Sequence, residues 1–127
     1  MAEQRTEKVV KTILSVNSLA AGASTRLEDC TLLDLEHVKY LALTAICKYA
    51  SGATKPIAVH VRSSHNGGEW DTTDYTVFEN DLQAGDTGQR TVVITPDVRY
   101  IKVIVENQDT AEAVTNVKIV ATITKES

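Results

Sequence analysis

Residues Arg99 to Thr124, RYIKVIVENQDTAEAVTNVKIVATIT, alternate apolar and polar side chains along two arms, and this restricts the possible folds more than any other feature. Ile101, Val103 and Val105 alternate with Tyr100, Lys102, Ile104 and Glu106. Val117, Ile119, Ala121 and Ile123 alternate with Lys118, Val120 and Thr122. A period of two marks half-buried β-strands. Read as a β-hairpin, the register that places Ile104 opposite Val120 also sets Glu106 against Lys118 and Val103 against Ala121. A longer slide would oppose Lys102 to Lys118, a disfavoured like-charge pair. The expected arrangement is therefore a hairpin with Val103, Val105, Ile119 and Ala121 in the core and Lys102 and Lys118 outside.

The remaining segments fit an all-β chain. In EKVVKTILSV, residues 7 to 16, Val9, Val10, Ile13 and Leu14 place apolar groups on both faces, so the segment needs cover on two sides. NSLAAGAST, which follows, is small and flexible in composition. Residues 1 to 25 are accordingly read as an N-terminal strand or arm with a hinge, the arm packing against a neighbouring subunit; an ordinary edge strand in its own sheet is the alternative. Residues 26 to 127 are read as one β-sandwich domain. RLEDCTLLDL, residues 26 to 35, is strand-like. Residues 35 to 50 fit a helix from Asp34 to Ser51-Gly52 or a strand covered on both faces, and the strand is preferred. PIAVHVRSS is a strand with one wet face, HNGGEWDTTD and NDLQAGDTGQ are polar loops, and YTVFE and RTVVIT are further strands. About eight strand-like runs at roughly 8 to 14-residue spacing predict an antiparallel, jelly-roll-like β-sandwich.

Composition narrows function by exclusion. With 13 basic and 17 acidic residues, a net charge of −4 and a pI of about 5.3, the surface should repel a phosphate backbone, so direct nucleic-acid binding is not expected. Residues 1 to 12 lack a signal-peptide core and no run approaches a membrane helix, so the expectation is a protein made in the cytoplasm and not bound to membrane. Cys30 and Cys47 have no metal-ligand spacing and read as packed thiols. His37, His60 and His65 share no metal-binding spacing, and His60 reads as lying on a solvated strand face. Asn66, Glu69, Asp71 and Asp74 gather oxygen ligands in one loop but without the calcium-loop pattern. Trp70, in the same loop, suits either a partner contact or a cap on the open end of the sandwich. No nucleophile elbow, P-loop or dinucleotide fingerprint occurs, and neither an enzymatic activity nor a cofactor is expected.

Two stretches carry a resemblance. SSHNGGEWDTTDYTVFE and VRYIKVIVENQDTAEAVTNVKIVATIT resemble, over about residues 57 to 124, the small β-sandwich proteins of tailed bacteriophages and prophages. The resemblance implies a non-enzymatic virion component of the decoration, tail or connector type that contacts a capsid or tail subunit. Independently of it, the mostly apolar 38–49 strand and the two-faced N-terminal strand need cover that points to a homo-oligomer, with Val9, Val10, Ile13, Leu14 and Trp70 as the candidate partner-binding residues. The final segment also resembles the terminal strands of jelly-roll carbohydrate-binding modules. For that alternative, aromatic residues make up only 5% of the chain, too few for an obvious sugar-stacking platform.

Overall fold

The alternating segments become eight strands in the computed structural model, which describes residues 6–126. In chain order they are β1 (Thr6–Leu19), β2 (Leu33–Asp34), β3 (Val38–Tyr49), β4 (Ile57–Ser64), β5 (Thr76–Glu79), β6 (Thr87–Ile94), β7 (Tyr100–Asn107) and β8 (Val114–Glu126). Antiparallel pairing joins β1 to β8, β2 to β7, β3 to β6 and β4 to β5, and it also places β8 beside β3 and β7 beside β4. The chain is thus one long ribbon, doubled back between β4 and β5 and rolled into two four-stranded sheets. Their orders are β1-β8-β3-β6 and β2-β7-β4-β5. This is the jelly-roll form of the sandwich that the alternation predicts.

The core lies between the inner faces. Leu41, Leu43, Ala45 and Cys47 of β3 and Val117, Ile119, Ala121 and Ile123 of β8 meet Ile57, Val59 and Val61 of β4 and Ile101, Val103 and Val105 of β7. All are buried, Val103, Val105, Ile119 and Ala121 completely. Cys30 and Cys47 are buried free thiols, and desolvation pushes both pKa values up.

The final hairpin does not form. β7 and β8 belong to different sheets, so Ile104 lies opposite His60 rather than Val120, while Val120 lies between Thr12 and Thr44. Alternation sets the direction of each side chain correctly but is blind to which strand lies alongside. The link from Gln108 to Ala113 instead crosses between sheets around a polar hub. Asn107 Nδ2 donates to Leu19 O, Ala20 O and Glu112 O at 3.2, 3.2 and 2.9 Å, and Asp109 accepts from the backbone N–H groups of Thr54, Ala111 and Glu112. Hydrogen bonds from the Thr54, Ala111 and Glu112 backbones hold the Asp109 carboxyl down at about 2.

The apolar pairs of β1 are resolved by a bulge. The register with β8 shifts between Thr12 and Leu14, so the consecutive Ile13 and Leu14 both enter the core, and the Ile13 carbonyl accepts the N–H of Thr31 at 2.8 Å. Over the described residues β1 is an edge strand of its own sheet, the alternative left open by the sequence; residues 1–5 lie outside them. The small-residue stretch after β1 is tied down, since Gly22 N–H donates to Asp109 O, Thr25 N–H to Val105 O and Asn107 N–H to Ala23 O. Gly22, at φ 70°, makes the turn. Residues 26 to 35 depart from the expected strand. They form a 3-10 turn at Leu27–Asp29 and only the two-residue β2.

Candidate functional site

The two sheets turn different surfaces to solvent. On the β1-β8-β3-β6 sheet, pairing aligns Val10, Thr122, Ala42 and Val93 in one row and Thr12, Val120, Thr44 and Thr91 in the next. Neither row contains a charge. Lys8, Thr124 and Tyr40 border them at one end and Lys118, Ile46 and Gln89 at the other. Val10 is 68% exposed, Tyr40 60% and Val93 77%, so among the described residues three of the four large exposed apolar side chains, the fourth being Val77, lie on this face. The second covering surface expected for β3 is therefore not supplied by its own sandwich. Thr44 and Thr91 share a hydroxyl hydrogen bond of 2.7 Å across β3 and β6, so polar groups at the centre of the face are paired with each other.

The opposite face is charged and laced together. His60 on β4 has Asp74 Oδ2 2.7 Å from Nδ1 and Glu106 Oε1 2.9 Å from Nε2, and Arg62 Nε donates to Asp74 Oδ1 at 2.7 Å. An ionised carboxylate only accepts, so both ring nitrogens are satisfied together only when His60 is a cation. Partial burial opposes that charge, but Asp74 and Glu106 outweigh it and raise the His60 pKa above its ordinary value. The hydrogen bonds from His60 and Arg62 pull the Asp74 carboxyl down. At the far end of the face, Arg99 grips Asp34 at 2.8 and 3.3 Å and Glu36 at 3.1 Å. His60 is thus a half-buried bridge between carboxylates, where the sequence suggested a residue on a solvated face.

The loop after β4 folds back over this charged face. Ser64 Oγ donates to Glu69 O at 2.6 Å and accepts the Gly67 N–H at 2.9 Å, while Asn66 Oδ1 accepts the N–H groups of Gly68 and Glu69. Asp71 accepts from Ser63 Oγ at 2.8 Å and Asp74 from His60 and Arg62. These oxygens answer separate partners within the chain instead of converging on one point. Trp70 bridges to Ser64 and lies half-buried with Lys102 Nζ 5.6 Å from its ring centre, so it covers the outer face of β4 and β7.

The fold has counterparts among solved structures. No protein-family model matches the chain, and no curated protein matches it in sequence. The structure is similar to PRD1 vertex protein P5 with a TM-score of 0.50 and 14% identity, over 94% of this chain and 95% of that one. It is also similar, with a TM-score of 0.50 and 12% identity, to part of dimeric latent PorU from Porphyromonas gingivalis, where 99% of this chain spans 13% of that one. At such identities the likeness is one of fold.

The residues singled out from sequence separate accordingly. Ile13 and Leu14 are buried in their own core, Val9 is half-buried at the sheet edge, and Val10 stands on the open neutral face. Trp70 lies on the opposite side of the sandwich from Val10. Sequence reasoning missed Tyr40 and Val93 as members of one surface. Their signal was present in the second, Val- and Thr-rich phase of each alternating strand, but only the pairing register collects those phases into a face.

Proposed function

We propose that this chain is a non-enzymatic structural protein of a virion, a decoration, vertex or tail-associated component that acts through self-association and contact with a shell subunit. The observation that carries the reading is the open face around Val10, Tyr40 and Val93, uncharged across its two central rows. Strands about 4.8 Å apart and about eight residues rising about 3.3 Å each give a patch of about 500 Å² per copy, or about 1,000 Å² when two such surfaces meet. That reaches the lower size of a specific interface. Support from resemblance is of two kinds: the bacteriophage-like stretches over residues 57 to 124, and the match to a vertex protein along almost the whole of both chains.

Light scattering across a dilution series tests the reading, paired with thermal unfolding in a panel of glycans. The expected result is a mass above that of the monomer that falls on dilution, and at least about tenfold weaker association in Val10→Lys and Tyr40→Lys, each of which places a charge on the neutral rows or their border. A monomer at every concentration whose melting temperature rises with one sugar would favour the carbohydrate-binding class.

A further inference from the structure

We propose that β6 pairs antiparallel with β6 of a second copy, about a two-fold axis at Thr91, joining two β1-β8-β3-β6 sheets into one continuous sheet. The inference begins from the free edges of the sandwich. β2 and β5 are edges of only two and four residues. β1 is long but carries exposed Lys8 and Lys11 and the bulge at Ile13, devices that discourage strand addition. β6 has eight residues, TGQRTVVI, with Arg90 as its one charged side chain. Arg90 is turned toward the other sheet, where Nη1 donates to Glu79 O at 3.0 Å. The edge is therefore long, regular and nearly neutral.

Its backbone is arranged for a self-complementary partner. Tyr49 N–H donates to Asp86 O at 3.0 Å, and antiparallel alternation from that pair turns the N–H and C=O groups of Gln89, Thr91 and Val93 away from β3. A two-fold axis at Thr91 sets Thr91 against its copy and Gln89 against Val93 of the copy. Every one of these residues then both donates and accepts. The same register places Arg90 opposite Val92, so no like charges face each other. Beside β6 runs an open groove of about 320 Å³ between β5 and β6, lined by Tyr75, Val77, Phe78, Val92, Val93 and Ile94. A strand added to β6 lies along its mouth, beside the inward-turned and partly buried Val92 at the rim of the core. A closed symmetric pair is also the commonest form of homo-oligomer. The pairing requires no virion, and it uses a sheet edge rather than the open face that carries the functional reading.

The test is analytical ultracentrifugation of the full chain with Thr91→Lys and Thr91→Glu, alone and mixed. Thr91 is exposed and its N–H and C=O point away from β3, so both variants should fold, as circular dichroism and thermal melts would verify. Each should dimerise at least about tenfold more weakly, because like charges meet at the axis, and an equimolar mixture should recover the dimer. Because the Thr91 side chain also stands in the neutral rows, hydrogen exchange separates edge from face: the Gln89, Thr91 and Val93 amides should be protected in the dimer and exposed on dilution, and amides left unprotected in a dimer would overturn the edge pairing. A chain that remains monomeric, a dimer indifferent to both Thr91 variants, or a dimer lost with Val10→Lys but kept with Thr91→Lys would each overturn the edge pairing. The last outcome would leave face-to-face association standing.

Discussion

The outer faces of the two sheets rest on one shared core and differ in how far the chain attends to its own surface. On the β2-β7-β4-β5 face, charges are answered within the molecule by His60 with Asp74 and Glu106, Arg62 with Asp74, and Arg99 with Asp34 and Glu36. A loop is folded over part of it. On the β1-β8-β3-β6 face, two full rows of valine, threonine and alanine contain no charge, and among the described residues no loop or helix covers them. A monomer gains little from exposing Val10, Tyr40 and Val93 together. The contrast therefore sets a face whose polar groups are paired within the chain against one whose apolar side chains are left open.

The largest expected effect tests whether this contrast is confined to the surface. Ile119→Ala beneath the neutral face and Ile101→Ala beneath the charged one both remove fully buried side chains and should each cost about 2–5 kcal/mol in chemical denaturation. Similar costs would place the difference outside the core, whereas a several-fold disparity would show that the two sheets do not contribute as equals.

A smaller effect separates the faces themselves. Asp74→Ala removes the acceptor shared by His60 and Arg62 and should lower stability by about 1–2 kcal/mol, since these groups are only about one-quarter exposed. Thr44→Val, which breaks the hydroxyl pair with Thr91 on the neutral face, should cost about 0.5 kcal/mol or less. Urea midpoints that rank these two variants in the opposite order would refute the assignment of internal lacing to the charged face.

The smallest effect is a dependence on pH. Because the folded pKa of His60 is raised, its contribution is fully present below the unfolded value of 6.5 and is lost as the pH rises through the folded value. Asp74, held below its ordinary 3.8, contributes above that value and loses its contribution as the pH falls through the depressed one. Unfolding free energies compared at about pH 6 and about pH 9 should be lower at the higher pH in the wild type, and should fall by less in His60→Gln. An identical decline in the variant would remove His60 as its source.

How much of this was legible in the sequence follows the physics of strands. Val103, Val105, Ile119 and Ala121 were readable as core because side-chain direction has a period of two within one strand, whatever lies beside it. Residues 35 to 50 fitted a helix as well as a strand, and the strand observed over Val38–Tyr49 was the preferred of the two readings. The two-faced pattern of β1 was legible only as a problem, since Ile13 and Leu14 both reach the core through a bulge that becomes apparent when β8 is in place. His60 gave no warning, because Asp74 and Glu106, its partners, arrive from a loop and another strand.

The sequence by itself determined the sandwich class and most of the inward-facing residues, because burial of alternate side chains is a local rule repeated along each strand. Only the tertiary structure decided that β8 pairs with β1 and β3 instead of β7, and so which outward residues share a surface. The physical reason is that backbone hydrogen bonds are the same for every strand. A strand's partner is chosen by how all the apolar faces can be buried at once, and no segment carries that information alone.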